Sequence, residues 1–151
     1  MLNPTEELLY AILPKNKIVD IMITAFEGGS NYWLEVPIAE VDKAHAFSMI
    51  PSNIEEAKQF GMQPWASSGD FFSTSEALAI YAMKSPLTIV EYGTDEPLPN
   101  LFLSSENLIK AIKTMAEEEP VHLQNLLGDV GDAETADVFV QYIVFGKIIY
   151  G

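Results

Sequence analysis

The sequence predicts an α+β fold of about six helices with a small antiparallel sheet of three or four short strands, built as a single globular domain over residues 1–151. Three observations carry this expectation. Apolar residues recur at helical spacing in several segments that open on a capping residue and close on Gly or Pro. Short runs of β-branched and aromatic residues lie between them, without the strict alternation of strand and helix that a parallel sheet requires. A chain of 151 residues that is 48% hydrophobic and 20% charged suits one core, and no repeat, low-complexity tract or long linker divides it.

The first helix is expected over residues 5–13, where Leu8, Leu9, Ile12 and Leu13 share a face, Glu6 and Glu7 sit in the first turn, and Pro14 follows. Asn16 is a fitting cap for a second helix over 17–27, with Ile18, Ile21, Met22, Ala25 and Phe26 inward. Gly28-Gly29 should stop it through left-handed backbone angles. Residues 31–36 have strand character up to Pro37. The stretch 38–75 carries weak signals: Ser52 as a cap for a short helix through Phe60 to Gly61, then a loop marked by Pro64, Ser67, Ser68 and Gly69. Thr74 or Ser75 should cap a helix to Met83. Residues 87–91 read as a strand that returns, through a Gly- and Pro-rich loop at 93–100, into 101–103 as a hairpin. Ser104 starts a helix over 105–117, Pro120 precedes a short one to Leu127, and Asp132 caps the last, 133–145. That last helix is apolar almost all round, so it should be central.

Composition narrows the function classes. Without cysteine there is no disulfide, thiolate nucleophile or sulfur-based zinc site. The cations are eight lysines and no arginine, against 22 acidic residues, for a net charge of −14. The planar fork that grips phosphate in bidentate fashion is missing, and nucleic acid is not an expected partner. The acidity is even: 9 acidic and 4 basic residues in 1–60, 5 and 1 in 61–100, 8 and 3 in 101–151. An even spread favours a solubilising surface over a concentrated patch imitating DNA. No apolar run approaches the roughly 20 residues that cross a bilayer, and the start of the chain lacks the pattern of a secretory signal. A cytoplasmic protein is expected, with no membrane association.

Two blocks set polar groups where the pattern does not demand them. In the first, Glu27-Gly28-Gly29-Ser30-Asn31-Tyr32-Trp33, a carboxylate faces the negative end of a helix. Glu27 is then expected either to clamp the backbone of the glycine turn or the Trp33 indole, or to belong to a ligand site walled by Tyr32 and Trp33. In the second, Asp137 and Gln141 are four residues apart, one turn above the other on an otherwise apolar helix. A buried carboxylate needs partners, so Asp137 is either satisfied within the fold or held for a purpose. The residues nominated as a binding set are therefore Glu27, Gly28, Gly29, Asn31, Tyr32, Trp33, Asp137 and Gln141. His45 and His122 lack a ligand at metal spacing, Ser67 and Ser68 lack the setting of a nucleophile elbow, and Glu117-Glu118-Glu119 lacks the alternation of a calcium loop. No metal, cofactor or catalytic residue is expected.

Taken together, the segment from Thr24 to Trp33 and the ending from Asp132 through Gln141 and Phe145-Gly146 to Tyr150-Gly151 resemble a family of small bacteriophage and prophage proteins. Those proteins open with A-L-E-G-G-x-x-Y-W and close with D-x-x-x-D-V-x-x-Q and F-G-E-x-x-Y-G. Here Phe26 stands for the leucine and Lys147 for the last glutamate. The resemblance covers about a quarter of the chain and implies a phage setting, hence the host bacterial cytoplasm, but no reaction or substrate. It also implies that the two blocks meet in space. The leading expectation is a non-enzymatic acidic accessory protein that binds a host or phage protein. A small-ligand or metal-binding protein, even an enzyme, using Glu27 and Asp137 is the alternative, and a DNA mimic the third.

Overall fold

The computed structural model describes residues 2–60, 73–128 and 131–151. The coarse class holds as a largely helical α+β fold, but among the described residues there are eight α-helices in place of the expected six or so, and regular pairing there is confined to two short strands. The loop expected around Pro64, Ser67, Ser68 and Gly69 lies outside the described residues.

Helix α1 (Pro4–Ile12) opens on Asn3, whose Oδ1 accepts from the Glu6 N–H at 2.8 Å while Glu6 Oε1 accepts from the Asn3 N–H. Helix α2 (Lys15–Thr24) begins earlier than expected, with Pro14 and not Asn16 at its cap. Pro14 turns the chain with φ −59°, and its carbonyl already accepts from Lys17 and Ile18. Lys17 Nζ donates to the Leu127 carbonyl at 3.1 Å, tying α2 to the C-terminal end of α7 (Pro120–Leu127).

Helix α3 (Ile38–Ser48) has no counterpart among the expected elements. Its buried positions, Glu40, Ala44 and Ser48, follow one another every four residues. A helical stripe made of a carboxylate, a methyl and a hydroxyl carries no hydrophobic period. Its small side chains suit a close approach to α5 (Thr74–Lys84), which buries Ala77, Leu78, Ala79, Ile80 and Ala82. The Glu40 carboxylate accepts from the Thr88 N–H at 3.0 Å and from Lys43 Nζ at 3.0 Å. Burial pushes this carboxyl up, but the Thr88 N–H and Lys43 outweigh it and hold it below the ordinary range.

Helix α4 (Pro51–Gln59) starts one residue before Ser52, at a proline preset for the first turn. Ser73 caps α5 with Glu76 completing the reciprocal pair, in place of Thr74 or Ser75. Helices α6 (Ser105–Glu118), α7 and α8 (Ala133–Phe145) start on Ser104, Pro120 and Asp132 as their sequence signals require. Gly146, at φ 74°, ends α8 in the left-handed region.

Strands β1 (Leu34–Glu35) and β2 (Val90–Glu91) pair antiparallel with Leu34 opposite Glu91, and the Tyr92 N–H extends the ladder to the Trp33 carbonyl at 2.8 Å. The hairpin is present, but its return arm forms only isolated bridges, Val90 with Pro97 and Leu87 with Leu101. Pro97 and Pro99 bring no N–H to that arm, which keeps it from becoming a full strand. Between the bonded pairs Ile89–Leu98 and Leu87–Leu101, one residue, Thr88, faces two, Pro99 and Asn100, so the return arm bulges there.

Helix α2 packs against both α5 and α8, and α8 also meets α6, α7 and the turn that follows α2. Phe139 and Val140 at the centre of α8 are fully buried, as are Leu13, Ile18, Met22, Leu108 and Met115 from its surroundings. The expectation that the last helix is central is met, and its placement brings residues 25–34 against it.

Candidate functional site

Helix α2 does not end on left-handed glycines. The next turn, Ala25–Gly29, widens to a π-turn in which the Ser30 N–H reaches the Ala25 carbonyl at 2.8 Å, and neither Gly28 nor Gly29 has a positive φ. The need for glycine is steric at one of the two positions. A Cβ on Gly29 would lie 2.5 Å from the Ala133 carbonyl oxygen, whereas one on Gly28 would meet nothing within 4 Å. Gly29 lets the turn press against the start of α8, and that approach brings Ser30, Tyr32 and Trp33 over Asp137.

The Asp137 carboxylate is the hub. Its Oδ1 accepts from Ser30 Oγ at 2.8 Å and from Trp33 Nε1 at 2.7 Å. Its Oδ2 accepts from the Tyr32 hydroxyl at 2.7 Å and from Gln141 Nε2 at 3.1 Å. Four donors match the four lone-pair positions of a carboxylate, all from the chain itself. No lysine approaches it within an ion-pair distance among the described residues. Neutral donors thus solvate a carboxylate that is 7% exposed, which is how a lone buried acid persists.

Gln141 is equally committed. Its Nε2 also donates to the Tyr150 carbonyl at 3.0 Å, and its Oε1 accepts from the N–H groups of Ile149 and Tyr150 at 2.8 and 2.9 Å. The Tyr150 ring stacks on Trp33 with centroids 5.0 Å apart and planes 8° from parallel, and Phe145 tilts against both. Trp33 is 1% exposed beneath this cover. Burial and then the bond to Asp137 push the Tyr32 hydroxyl up to about 12.

Of the nominated residues, Tyr32, Trp33, Asp137 and Gln141 meet through side chains, and Gly29 through its backbone. Glu27, Gly28 and Asn31 are exposed. The expected Glu27 clamp does not form: the Trp33 indole N–H goes to Asp137, and the π-turn leaves Glu27 pointing outward. Glu27 makes no side-chain hydrogen bond or ion pair among the described residues. Two residues of the cluster, Ser30 and Tyr150, were not nominated. Both offered a signal: Ser30 is a hydroxyl inside the first block, and Tyr150 closes the second.

Among the described residues no group of three or more His, Asp or Glu could hold a metal ion, and no helix is long and apolar enough to cross a membrane. His45 faces the Thr74 hydroxyl at 3.2 Å and His122 that of Thr135 at 3.1 Å. A cleft of about 100 Å³ opens beside α8 between Lys17, Asp20 and Thr24 of α2 and Asp132 and Thr135, away from the carboxylate hub. A wider groove of about 430 Å³ runs between the start of α3 and the hairpin turn, bordered by Glu35, Ile38, Gly93, Thr94 and Asp95. Comparison with known protein families, with curated proteins and with solved structures found no match.

Proposed function

We propose that this chain is a non-enzymatic acidic accessory protein of bacteriophage or prophage type, acting in the host bacterial cytoplasm by binding a host or phage protein. The observation that carries this reading is the saturation of Asp137 and Gln141: their polar atoms are spent on Ser30, Tyr32, Trp33 and the backbone of 149–150. A group whose bonds are all taken within the fold has nothing left to offer a substrate, so the polar set serves as a lock that holds the two blocks together. A cation held between Glu27 and Asp137 would have to displace those donors.

A binding protein then needs a surface, and the edge of the hairpin supplies one. Ile38, 76% exposed, borders the groove beside the hairpin turn together with Glu35 and Asp95, and Tyr92, next in sequence to Gly93 of that groove, is 60% exposed. Exposed apolar side chains rimmed by charge are a common form of protein-binding face.

The test is affinity capture from lysate of phage-infected host cells, with the chain immobilised, run beside an Ile38→Lys variant. A host or phage protein should be retained by the parent chain and lost with Ile38→Lys at unchanged melting temperature. Retention of a small metabolite with no protein at any growth phase would overturn the reading.

A further inference from the structure

We propose that Trp33, Asp137 and Tyr32 form a one-electron relay: an oxidising equivalent that reaches the buried indole is passed to the Tyr32 phenol at the surface, where a soluble thiol discharges it.

The geometry of the hub carries this. Trp33 Nε1 donates to Asp137 Oδ1 and the Tyr32 hydroxyl to Asp137 Oδ2, each at 2.7 Å, so one carboxylate accepts from both oxidisable rings. Their access differs, for Trp33 is 1% and Tyr32 49% exposed. An aromatic ring that loses an electron becomes a strong acid and needs a proton acceptor already in place. Asp137 is that acceptor for both rings. Protons that move along bonds already made need no free lone pair, so the relay runs inside the saturated lock. The chain also has no cysteine to absorb an oxidant. Oxygen added to the Trp33 ring would have to fit beneath Tyr150 and Phe145, which pack on it.

The steps balance. An outer-sphere oxidant takes one electron from Trp33, the indole N–H bond breaks, and its proton goes to Asp137 Oδ1. One electron then passes from the Tyr32 ring to the indolyl radical. The phenol proton moves to Oδ2 as the proton on Oδ1 returns to Nε1, leaving an intact Trp33, a protonated Asp137 and a Tyr32 phenoxyl radical. A thiolate at the surface returns one electron and becomes a thiyl radical, while the Oδ2 proton goes back to the phenoxyl oxygen. Asp137 is then ionised as at the start. The relay is independent of any partner at the hairpin edge.

Two measurements test it. First, the chain is oxidised with a photogenerated ruthenium(III) complex, without thiol, and its products are mapped by mass spectrometry. Tyrosine products should fall on Tyr32 ahead of Tyr92, although Tyr92 is 60% exposed, and Tyr150→Phe should leave them there. Tyr32→Phe should raise oxygenated Trp33 at least about 10-fold. Products that favour Tyr92, or unchanged Trp33 oxygenation in Tyr32→Phe, would overturn the relay. Second, flash oxidation of a Trp65→Phe chain, in which Trp33 is the one indole, should show indolyl radical decaying as phenoxyl grows, about 100-fold more slowly once Asp137→Asn is added. Phenoxyl without an indolyl precursor, or an unchanged rate in Asp137→Asn, would overturn it; should Asp137→Asn not fold, the parent and Tyr32→Phe chains decide.

Discussion

Replacing Asp137 by Ala removes one acceptor and strands several donors at once. Ser30 Oγ and Trp33 Nε1 are buried and bond to the same Oδ1, while Tyr32 is half-exposed and can turn to water. Each buried donor left without a partner costs about 1–3 kcal/mol. Gln141 loses one of two acceptors for its Nε2. Against this stands relief of the desolvated carboxylate, so a net loss of about 3 kcal/mol is expected, and about 10 °C in melting temperature for a chain of this size. Asp137→Asn should fall between, because its oxygen still accepts from Ser30 and Trp33 while its NH₂ opposes the Gln141 NH₂. Urea denaturation followed by circular dichroism gives the difference directly, with the slope as a check that two-state behaviour is kept. An Asp137→Ala chain as stable as the parent, or more so, would refute the lock and mark the carboxylate as kept at thermodynamic expense for a function.

Three further outcomes are expected. Gly29→Ala should destabilise by about 2 kcal/mol, because its Cβ would collide with the Ala133 carbonyl; Gly28→Ala, with open space around it, should be neutral or stabilising by about 0.5 kcal/mol, and thermal melts of the pair separate the two glycines. Tyr32 and Tyr142 are both pushed up to about 12, by burial first and then by Asp137 and Glu118 respectively; a raised folded value means their contribution is intact below the unfolded pKa of 10.0 and fades as pH climbs toward 12. Stability measured across that window should drop, and Tyr142→Phe should flatten the drop. Glu40 lies below its ordinary 4.5, so its contribution is present above that pH and is lost as pH falls through the lower folded value; Glu40→Gln should remove that part of the acid sensitivity, read from urea midpoints at pH 3 to 6.

What the sequence made legible was local. Helix α8 and its ends followed from Asp132 as a cap, Gly146 as a left-handed stop and an apolar run between them. Ser104 and Pro120 marked α6 and α7 in the same way. Helix α3 escaped because its inward residues are Glu40, Ala44 and Ser48, whose burial is decided by the neighbouring Ala-rich α5 and by Thr88, neither adjacent in the chain. At the site, the four-residue spacing of Asp137 and Gln141 and the Tyr32-Trp33 pair were visible. The role of Glu27 was not, because helix-end reasoning assumed a glycine stop and the chain instead widens by one residue. Tyr150 was visible as the close of the second block, but its contacts were not, because only tertiary contact with Gln141 and Trp33 gives the tail its place.

The carboxylate hub joins positions 104 to 107 residues apart. Closing so long a loop carries a large entropic cost that local helix contacts do not repay early, so these bonds should form after the barrier to folding has been crossed. Weakening them would then hasten escape from the native state while leaving the refolding rate nearly untouched. In a cell, the hub would govern how long a copy survives proteolysis more than how quickly it is made.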